Sequence, residues 1–340
     1  MAVPWEALAV FAGAAALAVV RWPSVVVFLP LALHAAYLLQ SCVPLGSFCL
    51  PTTGLEVLVV LAVTAALARD PRRVIRAARA LPRSVRVCLT LFVVAATLSA
   101  TIAPHPRTAW GHWKAFIMEP LAYALVLLPL LRSPDGQKAV VRALLAGGVL
   151  AAGLSLLAGV FTPDFSRLQG IYDVPNSLAL VLAPLAAFAA TLAASEVRTP
   201  LRTFAFGSLL VSVPVLLLTQ SAAGLAAAVL GSAVGAWQSP KALQHTVARG
   251  RRWKRTVAVF SVIVITGVSM QWATGKLTHA LSSISPLTAR LRIWQVSFIL
   301  IRDHPVLGTG LGTFEPAYQQ KLHEVLRAGS RGQRLSLIHI

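Results

Sequence analysis

Charged residues are scarce in this chain. Asp, Glu, Lys and Arg make up only 12% of its 340 residues, whereas 57% are hydrophobic. Soluble domains carry roughly 25% charged residues, so half that share excludes an ordinary soluble domain. The shortage is uneven, with 11 acidic residues against 30 Lys and Arg. So few carboxylates leave no external pair with the pattern of a glycosidase. Glu56 and Glu119 are among the few acids within or bordering the apolar runs. They form no chain of ionisable groups across a bilayer, which argues against a proton-driven transporter. Three cysteines, Cys42, Cys49 and Cys88, constrain little. Cys42 and Cys49 fall in one predicted loop, where a disulfide and two free thiols are both open. No further His or Cys lies near His105 and His112, which argues against a metal site there. The N-terminus lacks the basic region and small-residue cleavage site of a removable signal, so the first apolar run is expected to stay in the mature protein.

What the chain has instead is repeated long apolar runs and a mean hydropathy of +0.74. These predict an all-α polytopic membrane protein. About ten candidate spans can be read, over residues 5–20, 23–40, 55–68, 87–103, 114–131, 139–160, 176–194, 202–218, 221–237 and 256–274. The first two are the least separated, divided only at Arg21, Trp22 and the Pro23 that opens the second.

The net charge of +19 would suggest nucleic acid in a soluble protein. Here the cations collect between spans. Arg69, Arg72, Arg73, Arg76, Arg79, Arg83 and Arg86 form one cluster, and Lys241, Arg249, Arg251, Arg252, Lys254 and Arg255 another. Arg132 with Lys138, and Arg198 with Arg202, mark two smaller basic loops. All four fall on one side, which the positive-inside rule makes cytoplasmic, beside anionic lipid. The partner expected from charge is therefore membrane lipid and not nucleic acid. Residues 41–54, 104–113, 161–175, the turn from Thr219 to Ser221, and everything after 275 then face outward. The organisation expected is a helical bundle over 1–274, followed from 275 to 340 by the start of a large external loop.

Three outward stretches carry polar chemistry. The first is RLQGIYDVPNSLAL, with Arg167, Asp173 and Asn176 where the seventh span begins. Pro175 and Asn176 suit a helix start, and capping accounts for Asn176 as well as binding does. Arg167 is an isolated cation on the wrong side for the charge bias. The second stretch runs from Ser285 to Tyr318. Leu287, Leu291, Trp294, Phe298 and Ile301 recur at alternating three- and four-residue spacings, one face of an amphipathic helix that Ser285-Pro286 opens and Asp303-His304-Pro305 ends. Arg290 and Arg292 flank that face. A guanidinium fork fits phosphate oxygens, although snorkelling beside lipid headgroups would also place arginines there. Gly308, Gly310 and Gly312 alternate without the spacing or preceding strand of a dinucleotide fold, so they read as a tight turn. The third stretch gathers His105, Arg107, Trp110, His112, Trp113 and Lys114. Interfacial tryptophans are usually belt anchors; support for an anionic headgroup or sugar is the functional reading.

The stretch TARLRIWQVSFILIRDHPVLGTGLGTFEPAY resembles the opening of the large periplasmic loop in the O-antigen ligase and O-antigen polymerase superfamily. Arg290, Trp294, Asp303, His304, Pro305, Gly308, Gly310, Gly312 and Phe314 carry that resemblance. Arg167, Gly170, Pro175, Asn176 and Ala179 are similar to the family's R-x-x-G-x-x-x-x-P-N-x-x-A element, and Thr219 and Ser221 to its T-x-S-R-G segment. Ala222 departs from it, standing where an arginine is frequent. The related domain is expected over roughly residues 165–320.

The resemblance implies a GT-C-like transferase of the bacterial inner membrane. It would take a glycan from an undecaprenyl diphosphate carrier and pass it to lipid A core or another glycan. It implies no metal and no soluble cofactor. Arg290, Arg167 and Arg292 would hold the diphosphate, with Asn176, Trp294, His304, Gly308, Gly310 and Gly312 in support. The family's catalytic histidine sits in a His-Asn motif that does not occur in this chain, so no catalytic residue is assigned. The tail, residues 334–340, reads as translated adaptor sequence. The expectation is an inactive fragment of a longer protein. A transporter or lipid flippase explains the spans and basic loops equally well, but not the run from Arg290 to Phe314.

Overall fold

A computed structural model describes residues 3–45, 48–161, 167–194, 200–237 and 285–331. The tenth candidate span, the basic cluster from Lys241 to Arg255 and the tail at 334–340 lie outside them. In chain order the elements are α1 (Trp5–Arg21), α2 (Pro23–Val26), α3 (Leu29–Ala32) and a 3-10 turn (His34–Leu38). An antiparallel hairpin follows, β1 (Gln40–Leu45) and β2 (Phe48–Thr53), then α4 (Gly54–Arg69), α5 (Pro71–Arg79) and α6 (Arg83–Thr101). Next come α7 (Pro106–Trp113), a π-helical turn (Lys114–Met118), α8 (Glu119–Leu131), α9 (Pro134–Val160), α10 (Pro175–Ala194), α11 (Pro200–Leu218) and α12 (Ala222–Trp237). The last two are α13 (Ser285–Asp303) and α14 (Phe314–Arg331).

Among the described residues, five helical stretches are long and apolar enough to cross a membrane: Arg83–Thr101, Pro106–Leu131, Pro134–Val160, Pro175–Ala193 and Pro200–Leu218. The expected span over 23–40 is not one helix. Pro23 opens one four-residue helix, Pro30 stands second in another, and a 3-10 turn follows. Proline lacks the N–H and the φ freedom to continue a preceding helix, so the apolar run is divided. The expected loop at 41–54 is the hairpin, in which Cys42 and Cys49 are joined as a disulfide. The basic loop after the third span includes a helix, α5, which buries Val74 and Ala77 and leaves its arginines exposed.

Two local starts explain themselves. Thr53 caps α4 in a reciprocal box: the Glu56 N–H donates to Thr53 Oγ1 at 3.2 Å, and the Thr53 N–H donates to Glu56 Oε2 at 3.4 Å. Glu56 is thereby a helix cap at the border of an apolar run. Ser133 caps α9 through the Gly136 N–H at 3.2 Å, with Pro134 at the first position.

The chain divides into two compact units. One comprises 1–71 and 126–274, the other 72–125 and 275–340. The first holds the main core, where Leu178, Leu182, Val215 and Leu216 are fully buried. Its tightest pairing is α10 on α12. A Cβ on Gly224 would meet Ala179 Cβ at 2.8 Å, and one on Gly231 would meet Ala187 Cβ at 2.9 Å. Gly235 abuts Thr191 in the same way. Numbers rise together along both helices, so they run parallel with their N-termini at the same end. Small residues allow this backbone approach, which supplies contact where apolar solvent offers no hydrophobic drive.

Candidate functional site

In the first unit, four residues singled out in the sequence meet at one corner. Arg167 lies in the loop before α10, Asn176 in the first turn of α10, and Thr219 and Ser221 in the turn joining α11 to α12. The Arg167 Nε donates to the Thr219 carbonyl at 3.1 Å, and its Nη2 donates to Asn176 Oδ1 at 3.3 Å. The Leu168 N–H donates to the Leu218 carbonyl at 2.9 Å. The loop therefore closes the C-terminal end of α11, whose last carbonyls have no partner within the helix. A guanidinium there also complements the negative end of the helix dipole.

The turn is held from within. Thr219 Oγ1 donates to the Leu216 carbonyl at 2.7 Å and accepts from the Ser221 N–H at 3.3 Å. Ser221 Oγ accepts from the Gly224 N–H at 3.3 Å and caps α12. Between them Gln220 has a φ of +52°, the left-handed region, and it is the one non-glycine residue there among those described. Thr219 and Ser221 are buried. Ala222, where the resemblance places an arginine, is exposed at the first position of α12.

Asn176 does not cap its helix. The helix begins at Pro175, the Ser177 N–H donates to the Val174 carbonyl at 3.1 Å, and the Asn176 amide oxygen goes to Arg167. Below the loop, Gly170 takes a φ of +63°, and a Cβ on it would come within 2.6 Å of Ser155 Cα on α9. Tyr172 is buried in the core and its ring lies 5.7 Å from that of Tyr37. Burial first, and the neighbouring Tyr37 second, push the Tyr172 phenol up to about 12, so it is neutral at any physiological pH. Tyr172 was not singled out in the sequence; an aromatic between a glycine and a proline-led helix is the only signal it gives.

The second unit holds the glycine turn. Gly308, Gly310 and Gly312 have φ of +65°, +104° and +73°. The turn is fastened to the end of α6: the Leu311 N–H donates to the Ser99 carbonyl at 3.2 Å, and Ser99 Oγ donates to the Leu307 carbonyl at 3.2 Å. A Cβ on Gly310 would lie 2.8 Å from Ala103 Cα, and Gly312 sits directly against the His112 ring. Thr313 is buried and its hydroxyl lies 2.7 Å from both the Gly310 and the Thr309 carbonyl oxygens, which share its single donor. The turn and the stretch around His112, read separately in the sequence, are thus neighbours. His112 also meets Phe116 edge-on, and Trp113 Nε1 donates to Thr97 Oγ1 at 3.0 Å. Lys114 pairs with Glu119 at 3.7 Å.

Along α13, Arg290 and Trp294 are exposed, as is His304 just beyond the helix end. The Arg292 side chain lies outside the description. Asp303 accepts from Lys321 Nζ of α14 at 2.8 Å. Among the described residues no group of three or more His, Cys, Asp and Glu is placed to hold a metal ion.

Residues 207–334 match the family model described as O-antigen ligase. The matched stretch contains Thr219, Ser221 and the whole run from Arg290 to Phe314; Arg167 and Asn176 precede it. No match was found among curated proteins or among solved structures. The chain is thus a multi-helix membrane protein that carries a domain of the O-antigen ligase family.

Proposed function

We propose that the corner at Arg167 receives the diphosphate of a lipid-linked glycan donor, and that the protein transfers that glycan on the outer face of the bacterial inner membrane. One observation carries the reading. The N-termini of α10 and α12 open side by side, and a partly exposed arginine is fixed between them. A helix N-terminus presents free N–H groups and a positive dipole end, which is how backbone binds phosphate. Two of the five guanidinium donors of Arg167 are engaged by Thr219 and Asn176. The others remain for oxygen acceptors.

In the reaction, the hydroxyl oxygen of the acceptor forms a bond to the anomeric carbon. The bond from that carbon to the diphosphate oxygen breaks, its electron pair leaves with undecaprenyl diphosphate, and the hydroxyl proton passes to a base. Donors fixed on the departing diphosphate stabilise the charge that develops there. Arg290 and Arg292 are further diphosphate contacts in this reading, with Asn176, Trp294, His304 and the three glycines in support. Lipid A core or another glycan supplies the acceptor. The arrangement of about ten spans, with α13 external, belongs to the same reading.

The test is native mass spectrometry of the chain in detergent, titrated with undecaprenyl diphosphate. A hydrogen bond to a charged group contributes about 1.5–3 kcal/mol, so Arg167→Ala is expected to weaken binding roughly tenfold to hundredfold. Arg76→Ala, in the basic helix α5, should leave it unchanged. Equal affinity of Arg167→Ala and the unaltered chain would remove the diphosphate role.

A further inference from the structure

The helix α13 has two apolar faces, and among the described residues only one of them is packed. Val296 and Leu300, 2% and 8% exposed, turn into the second unit, while Trp294, Phe298 and Ile301 are 62%, 69% and 59% exposed. At about 100° per residue these three share one stripe opposite the buried pair. The apolar face read from the sequence spacing is therefore the one left unpartnered among the described residues. A shallow apolar groove runs along it, lined by Trp294, Ser297, Phe298 and Ile301.

Charge and depth say what covers it. Arg290 and Arg302 are exposed, one on each flank of the stripe. The acid beside them, Asp303, lies 2.8 Å from Lys321 and 3.7 Å from Arg302, so two cations share one carboxylate. The flanks are thus cationic on balance. Depth follows from the glycine turn that succeeds the helix. Its Leu307 and Leu311 are hydrogen-bonded to Ser99, in the last turn of the membrane-crossing helix α6. The C-terminal end of α13 therefore lies where α6 leaves the bilayer. α13 is not among the helices apolar enough to cross.

We propose that α13 lies in the plane of the membrane surface. Its Trp294, Phe298 and Ile301 stripe is buried among the acyl chains, and Arg302 and Arg290 reach the phosphates of anionic phospholipids. An apolar stripe with Trp and Phe between cations is the pattern of an interfacial helix, with long basic side chains reaching up to the headgroups. This inference does not rest on the diphosphate reading at Arg167, and it assigns Arg290 and Trp294 to bilayer lipid in place of the glycan donor.

The test is spin-label accessibility in nanodiscs of phosphatidylethanolamine and phosphatidylglycerol in equal parts. Labels are attached through Phe298→Cys, Ile301→Cys and Gln295→Cys in a Cys88→Ser background. Cys42 and Cys49 are already joined. Oxygen, which dissolves in lipid, should reach the labels at 298 and 301 several-fold better than a water-soluble nickel chelate does, and the order should reverse at 295. Nickel reaching 298 and 301 as readily as 295 would overturn the proposal. So would labels at both positions shielded from both reagents, which would mean that protein, such as a second copy of the chain, covers the stripe. All three positions are exposed, so the labels are not expected to disturb packing.

Discussion

The corner at Arg167 and the turn at Gly308–Gly312 are both loops fastened to helix ends, yet they are built in opposite ways. At the corner the fastening is a side chain. A guanidinium reaches across to Thr219 and Asn176, and the charge that ties the loop is also the charge it offers outward. At the turn the fastening is the absence of side chains. Three positive-φ glycines bring backbone against Ser99, Ala103 and His112. The first site carries charge with a shape that can adjust; the second carries shape with no charge of its own. Polar substitutions should therefore alter function at the corner, and volume should alter folding at the turn.

Gly170 joins the two cases, because it supports the corner by the device used at the turn. Gly170→Ala should be the most damaging single change. It combines a left-handed φ with a Cβ driven into the α9 backbone at Ser155, and a backbone atom cannot turn aside. Strain and overpacking each cost about 1–3 kcal/mol, so a loss of roughly 2–6 kcal/mol is expected, read as a fall in the unfolding midpoint in detergent. Gly312→Ala should follow, since His112 can rotate. Gly308→Ala isolates strain alone, because nothing lies within 4 Å of its Cβ position; about 1–2 kcal/mol is expected. Equal losses at all three would mean that φ, and not contact, sets the cost.

The next change separates charge from scaffold at the corner. Asn176→Asp keeps the shape and places a carboxylate on the Arg167 fork. An ion pair should hold the loop at least as well, so the unfolding midpoint should stay or rise slightly. The same carboxylate competes for the guanidinium, and affinity for undecaprenyl diphosphate should fall by about tenfold, some 1.4 kcal/mol. A parallel fall in stability and binding would make Arg167 a purely structural tie.

Much of this was legible in the residues, though not the pairings. Proline and asparagine at 175 and 176 marked a helix start, and the isolated Arg167 marked an external cation. That Arg167 would lie on Thr219, far along the chain, depends on α11 and α12 folding back over α10. Periodicity does not report such tertiary contact. The alternating glycines read correctly as a turn. Nothing local says that Gly312 faces His112, because a glycine records the need for space and not what fills it. The spacing of Trp294, Phe298 and Ile301 gave the helix, but α13 is apolar on two sides, and which side is packed is decided by Val296 and Leu300. In the N-terminal region, hydropathy suggested a span over 23–40, and Pro23 and Pro30 outweighed it.

Gln220 offers a smaller and opposite effect. An L-residue in the left-handed region costs roughly 1–2 kcal/mol, and glycine gives back part of that gain in chain entropy. Gln220→Gly should raise stability by about 0.5–1 kcal/mol. If stability fell instead, the Gln220 side chain would be contributing more than its backbone strain costs.

The smallest effect belongs to the ion pair that fastens α14 to α13. The hydrogen bond from Lys321 holds the Asp303 carboxyl below the usual aspartate range, and the same bond raises the Lys321 ammonium. A depressed carboxyl contributes stability that is complete above its unfolded value and is lost as pH falls through the folded one. A raised amine contributes stability that is complete below its unfolded value and is lost as pH rises through the folded one. The pair should therefore hold α14 evenly between about pH 5 and about pH 10, and release it outside that window. Both side chains are partly open to water, where such pairs contribute little. Hydrogen exchange over residues 314–325 should lose some protection towards about pH 3, and Asp303→Asn should remove that dependence while lowering protection at neutral pH by the same small amount. Unchanged acid dependence in Asp303→Asn would assign the titration to Glu324, the other acid on Lys321, at 3.3 Å.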